Sequence, residues 1–78
     1  MANNELTGVF YYFDCLDGDI GDKLLTAPEV SQIIYGRPAD LTEAELISLA
    51  ADYEATLYRQ EYKDDELTGE KVLYDCYF

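Results

Sequence analysis

Alternating apolar positions near the two ends of the chain predict two β-strands. The first, Val9–Leu16, is rich in aromatic residues and lies between Gly8 and a DGD turn. Its alternation gives two largely apolar faces, Val9, Tyr11, Phe13 and Cys15 on one side and Phe10, Tyr12, Asp14 and Leu16 on the other. Such a strand is covered on both sides or leaves one face for a partner. The second strand is expected at Val72–Phe78.

Helical spacing between these strands predicts a first helix that starts at Thr26. The Thr26 hydroxyl can cap the helix, Pro28 suits its first turn, and Glu29 is placed to complete a capping box. Gly36 suits the end of the helix, and Pro38 prevents it from continuing. The apolar stripe of this helix consists of Val30, Ile33 and Ile34.

A second helix is expected to run from a cap at Asp40 or Thr42 to about Tyr62. An acid three residues after either cap can complete a capping box. Apolar residues then recur at helical spacing, at Leu46, Leu49 or Ala50, Tyr53 and Leu57, with Ile47 widening the stripe. A charged loop at residues 63–70 would lead into the last strand.

The predicted order of elements is therefore β-α-α-β, a single α+β domain over residues 1–78. ELTGVFYYFDC at Glu5–Cys15 returns as ELTGEKVLYDC at Glu66–Cys76, with six of eleven positions identical. From this repeat we expect the two terminal strands to pair in one sheet, with both helices on one face; coincidence is the alternative. A two-stranded sheet is weak, so a third short strand near residues 22–25 or a dimeric four-stranded sheet would help.

Charge limits the classes of partner. The chain has 17 acidic residues, five basic residues and no histidine, for a net charge of −12. This charge repels nucleic acid and anionic membrane surfaces, so direct binding to either is not expected. The expected partners are basic proteins or metal ions, and a homodimer would be a further way to support so small a core.

The same sequence predicts a cytoplasmic protein. It has no apolar run approaching the roughly 18 residues of a membrane span. The start, MANNELTG, lacks the basic and apolar regions of a signal peptide. Two cysteines without an export signal are typical of free thiols in a reducing compartment, although Cys15 and Cys76 could form a disulfide if their strands were adjacent.

No enzymatic, metal or cofactor site is expected. A catalytic cysteine needs a nearby base or cation, and neither cysteine has one close in sequence. The acidic loop DCLDGDIGD resembles a calcium loop starting at Asp17, but Asp22 replaces the glycine of position 6 and Pro28 stands at position 12. No phosphate-binding loop or serine–histidine pair is present.

Acids and tyrosines distributed over folded elements are the candidate partner-binding residues. Tyrosine is favoured in interfaces because it is large, rigid and amphipathic. The candidates are Tyr12, Asp14, Asp17, Asp19, Asp22, Glu43, Glu45, Asp52, Glu54, Glu61, Asp64, Asp65, Glu66 and Tyr77. Tyr12 and Tyr77 are included because they face away from the predicted core.

By its size and charge the whole chain resembles the small phage-encoded inhibitors that mimic DNA, the anti-CRISPR and anti-restriction proteins. The resemblance is one of profile, without a shared motif. It implies stoichiometric inhibition, in the cytoplasm of a bacterial host, of a nuclease or CRISPR effector whose basic groove the acids would occupy. The alternatives are an antitoxin or immunity protein that neutralises a basic nuclease, a calcium-binding module, and a housekeeping domain whose acidity only confers solubility.

Overall fold

The fold contains four strands and two helices. The computed structural model describes residues 6–16 and 18–76. In chain order, the elements are β1 (Gly8–Asp14), β2 (Leu24–Leu25), α1 (Ala27–Tyr35), α2 (Glu43–Asp52), β3 (Thr56–Lys63) and β4 (Glu66–Tyr74). The α+β class predicted from the sequence is confirmed.

The four strands form one antiparallel sheet in the order β2-β1-β3-β4. Of the two additions suggested for a weak two-stranded sheet, the short strand near residues 22–25 is present as β2. The expected direct pairing of the terminal strands was wrong, because β3 lies between β1 and β4. The second copy of the repeat also departs from the prediction. Its ELTG lies within β4 and not in a loop before the strand.

Both helices begin at the predicted capping boxes. The Thr26 side chain accepts a hydrogen bond from the Glu29 N–H, and the Glu29 carboxylate accepts one from the Thr26 N–H. Thr42 and Glu45 make the same reciprocal pair at the start of α2, so Thr42 and not Asp40 is the cap. Each box satisfies N–H groups that a helix start leaves without an intrahelical partner.

The prediction that the second helix continues to Tyr62 was wrong. The helix ends at Asp52, and Glu54 adopts a left-handed conformation with φ 54°. The Ala55 N–H then donates to the Ala50 carbonyl at 2.9 Å, and the Glu54 N–H donates to the Ala51 carbonyl at 3.3 Å. This is a Schellman ending with glutamate where glycine is usual. It redirects the chain into β3.

The predicted charged loop at residues 63–70 was also wrong, because most of it is strand. Asp64 and Asp65 alone form the turn between β3 and β4, with φ of 52° and 69°. Two consecutive positive φ values are typical of the tight turn that matches the twist of a hairpin. The turn contacts the start of the described chain, since Asp65 N–H donates to the Leu6 carbonyl and Asp64 N–H to the Thr7 hydroxyl.

The hydrophobic core lies on one face of the sheet, here called the inner face. Phe13 and Leu57 are opposite each other in β1 and β3, and both are fully buried. Helix residues complete this core, namely Ala27 and Val30 of α1 and Leu46, Leu49 and Ala50 of α2. Ile33, expected on the apolar stripe of α1, is 38% exposed. Both helices therefore cover the inner face.

Candidate functional site on the outer face of the sheet

The opposite side of the sheet, here called the outer face, carries a continuous row of apolar side chains. Tyr12 in β1 lies opposite Leu24 in β2 and opposite Tyr58 in β3. Tyr58 in turn lies opposite Val72 in β4. Side chains opposite each other in an antiparallel sheet point to the same face. Leu24, Tyr12, Tyr58 and Val72 thus form one line across all four strands, here called the apolar row.

Aromatic rings contact one another beside and within this row. The Tyr12 and Tyr58 rings lie 6.1 Å apart at an angle of 58°, and the Phe10 and Tyr62 rings meet edge to face at 5.9 Å. These four rings are half-buried by their neighbours, while Val72 remains 50% exposed. The buried residues of both helices pack on the other face, so among the described residues no helix covers these rings. The result is an aromatic surface open to solvent.

Carboxylates flank the apolar row. Asp14 lies in β1 on the outer face, two residues after Tyr12. Asp22 accepts a hydrogen bond from the Tyr12 hydroxyl at 2.7 Å. Glu70 in β4 lies opposite Gln60 in β3 and accepts a 2.6 Å hydrogen bond from the Gln60 side-chain amide. Two acids close to Tyr12 in sequence and a third from β4 therefore surround one aromatic surface.

The position of Asp22 has a backbone cause. Its N–H donates to the Phe13 carbonyl at 3.1 Å, and its φ of 58° turns the loop back toward β1. The hydrogen bond to the Asp22 carboxylate raises the pKa of Tyr12 to about 12, with desolvation and the charges of Asp22 and Asp14 adding to the effect. The Tyr12 hydroxyl therefore keeps its proton, and its hydrogen bond to Asp22, to a higher pH than a tyrosine with the ordinary pKa of 10.0 would.

A second group of candidate acids lies on the helix side of the molecule. Glu43 at the start of α2 and Glu61 in β3 both contact Arg59, at 3.3 Å and 2.7 Å. The hydrogen bond to Glu61 raises the pKa of Arg59, partly opposed by desolvation, and Glu43 adds to the rise. These two carboxylates are already paired with a cation, which lowers their value for attracting a partner.

The remaining candidates are scattered. Glu45 completes a capping box, Asp52 and Glu54 lie at the far end of α2, and Glu66 begins β4. Asp64 and Asp65 build the hairpin turn, and Asp19 is exposed in the loop after β1, where its carbonyl accepts from Lys23. Asp17 and Tyr77 lie outside the described residues. Of the fourteen predicted residues, the structure places Tyr12, Asp14 and Asp22 together on or beside the outer face.

Six residues of this surface were missing from the predicted set: Phe10, Leu24, Tyr58, Tyr62, Glu70 and Val72. Tyr58 was assigned to the second helix, and Glu70 to the charged loop. The available signal was the alternation in TLYRQEYK, where Thr56, Tyr58, Gln60 and Tyr62 fall on one side of a strand. Leu57 also fits the helical stripe, so the sequence of this segment agrees with both the spacing of a helix and the alternation of a strand.

A depression of about 310 Å³ lies at the opposite end of the sheet from Asp14. It is lined by Thr7, Gly8, Val9, Glu61, Tyr62, Lys63 and Thr68. Tyr62 of the outer face is among them, but none of the four residues of the apolar row lines this depression.

Both cysteines are free thiols. Cys15 follows β1 and Cys76 follows β4, and β3 lies between these strands, which removes the adjacency that a disulfide was expected to need. Within residues 6–16 and 18–76, no three His, Cys, Asp or Glu side chains are grouped as a metal site. In the same part of the chain, neither helix has the length and apolar character required to cross a membrane.

Comparison with known proteins adds no relative: no protein-family model matches the sequence, and no curated protein or solved structure matches the chain.

Proposed function

We propose that the protein is a stoichiometric inhibitor that occupies the basic nucleic-acid groove of a nuclease or CRISPR effector inside a bacterial cell. The observation that carries this proposal is the outer face, where half-buried aromatic side chains that no helix covers lie among Asp14, Asp22 and Glu70 in a chain of net charge −12. A groove that binds nucleic acid presents lysine and arginine to phosphates. Fixed carboxylates on a rigid sheet can replace those phosphates.

Long-range attraction favours such a complex. The charge of the whole chain would steer it toward a positive groove and raise the association rate, including through acids that never enter the contact. The exposed apolar row would then supply the contact area that charge alone does not provide. Attraction between exposed charges is screened by salt over about 8 Å at physiological ionic strength, so binding should weaken as salt rises.

Inhibition by occupation requires no reaction on this chain. The side chains named here need only remain in place, and hydrogen bonds to Tyr12 and Gln60 hold two of the three outer-face acids. An immunity protein or antitoxin against a basic nuclease would use the same surface, and the identity of the captured partner distinguishes it from an inhibitor of a host defence complex.

The test is affinity capture from a nuclease-treated bacterial lysate at low and moderate salt, followed by displacement of nucleic acid. We expect a basic, nucleic-acid-binding protein that is released by moderate salt. In a purified mixture, one equivalent of the acidic chain should prevent that protein from binding its labelled nucleic acid. A captured protein that binds both at once would contradict the proposal, and the absence of any captured protein at either salt would favour an acidic housekeeping domain.

A further inference from the structure

The open outer face requires an explanation of its own. Val72 and Leu67 are each 50% exposed, and Leu67 lies opposite Tyr62 on the same side of the sheet as the apolar row. Exposed apolar surface of this kind marks an interaction site when its members are contiguous. The cross-strand line from Leu24 to Val72 is contiguous across the sheet.

A second copy of the chain is poorly suited to cover this face. Each copy carries a net charge of −12, and face-to-face packing would bring two sets of outer-face carboxylates together. Pairing along the edge of β4 is also discouraged, because its ladder with β3 is interrupted at Leu57/Tyr58 and at Glu61/Tyr62 and the strand carries Glu66, Glu70 and Lys71. Irregular, charged edges are a common defence against strand pairing.

The combination of aromatic rings and carboxylates favours one type of partner side chain over others. An arginine side chain can stack its planar guanidinium on a tyrosine ring and donate two parallel hydrogen bonds to a carboxylate. Lysine offers a compact, strongly hydrated ammonium group and cannot make this planar contact. A carboxylate has about four lone-pair sites, so Asp22 keeps acceptor capacity while it holds the Tyr12 hydroxyl.

We propose that the outer face is the docking surface for arginine side chains of the basic partner, which would stack on Tyr12 and Tyr58 and pair with Asp14, Asp22 and Glu70. This inference rests on the proposed function, because it takes the partner to be a nucleic-acid-binding protein. It goes further by assigning the contact to one face and by separating that face from the acids on the helix side.

Two variants with the same charge change test the location. Val72→Lys places a cation within the apolar row, whereas Ile33→Lys places one on the exposed side of α1, where the wild-type residue is 38% exposed. Both raise the net charge by one unit. We expect Val72→Lys to weaken binding of the captured partner by about tenfold or more, because it puts a cation into the contact with a basic partner, and Ile33→Lys to bind nearly as wild type. Equal losses would overturn the assignment to the outer face while leaving inhibition through general charge intact.

A second pair of variants covers the case in which Val72→Lys does not fold. Glu70→Lys changes the outer face, and Glu66→Lys makes the same charge reversal in the same strand, on the side opposite to Glu70. The outer-face assignment predicts a larger loss for Glu70→Lys than for Glu66→Lys. An equal loss from the two reversals would contradict it.

The preference for arginine has an independent test that needs no captured partner. We would titrate the isotope-labelled protein with an oligo-arginine peptide and with an oligo-lysine peptide of equal length. The expected result is larger amide shifts at Tyr12, Tyr58 and Val72 with arginine than with lysine. Equal shifts, or shifts centred on Glu43 and α2, would overturn the arginine assignment. A protein that sediments as a dimer unless Val72→Lys is present would instead assign the face to a second copy.

Discussion

Phe13 and Tyr12 are neighbours in β1, but they belong to two different environments. Phe13 is fully buried between the sheet and the helices, opposite Leu57. Tyr12 points to the other face, where it contacts Tyr58 and donates to Asp22 at the surface. A single strand thus contributes to the core with alternate residues and to an open aromatic surface with the residues between them.

The residues that stabilise this small fold and those available for binding therefore lie on opposite faces of one sheet. The inner face buries aliphatic and aromatic side chains from β1, β2, β3 and both helices in one cluster. The outer face leaves apolar residues such as Val72 half-exposed, and side-chain hydrogen bonds from Tyr12 and Gln60 hold two of its acids, Asp22 and Glu70. Stability should therefore depend mainly on inner-face residues, and partner binding on outer-face residues.

The largest expected difference is between Phe13→Ala and Phe10→Ala, two equal truncations in one strand. Removing the buried Phe13 ring should lower the free energy of unfolding by about 3–5 kcal/mol, because it leaves a cavity under the helices. Removing the half-buried Phe10 ring should cost about 1 kcal/mol, in proportion to the smaller buried area. Urea denaturation followed by far-ultraviolet circular dichroism measures both. Equal losses in the free energy of unfolding would mean that the outer face contributes as much to stability as the inner face.

A smaller change concerns the turn that folds α2 back over the inner face. Glu54 has φ 54°, a conformation that costs side-chain-bearing residues roughly 1 kcal/mol and glycine little. Glu54→Gly should therefore raise the free energy of unfolding by about 1 kcal/mol and leave partner binding close to wild type. Glu54→Gln is the control, since it removes the charge and keeps the strained backbone. If both variants raised the free energy of unfolding equally, the loss of the Glu54 charge, and not relief of the backbone strain, would be the cause.

The smallest expected effect is on the outer face. In Asp22→Asn the carboxylate that raises the Tyr12 pKa is lost, so the pKa should fall from about 12 toward its ordinary value of 10.0. A tyrosine with a raised folded-state pKa contributes its full stabilisation below pH 10.0 and loses it as the pH rises to about 12. Wild type should therefore lose this contribution in that window, and the variant should not.

Titration of the tyrosine rings by nuclear magnetic resonance, with unfolding measured at each pH, tests this prediction. Asp14→Asn is the matched control, because Asp14 acts on Tyr12 through its charge alone and its removal should lower the pKa less than Asp22→Asn does. A Tyr12 pKa that is unchanged in Asp22→Asn would show that the 2.7 Å contact is absent in solution.

Features that depend on a few adjacent residues were predictable. Both helix starts follow from Thr and Glu three positions apart, since a capping box is completed within a single turn. The two faces of β1 follow from its alternation, and so does the position of Tyr12 on the face away from the core. The candidate site was predictable only in part, because Asp14 and Asp22 are close in sequence to Tyr12 whereas Tyr58, Glu70 and Val72 come from strands that were wrongly bounded.

Local pattern and composition were enough to predict the α+β class, the helix starts, the alternation of β1 and the excess of acids. Tertiary contacts were needed to establish that residues 56–63 form a strand, that this strand separates β1 from β4, and that one sheet face stays open. The reason is that Leu57 fits the apolar stripe of a helix and the alternation of a strand equally well. Long-range pairing with Phe13 and Tyr74 resolves that choice, even though it requires an unfavourable backbone angle at Glu54.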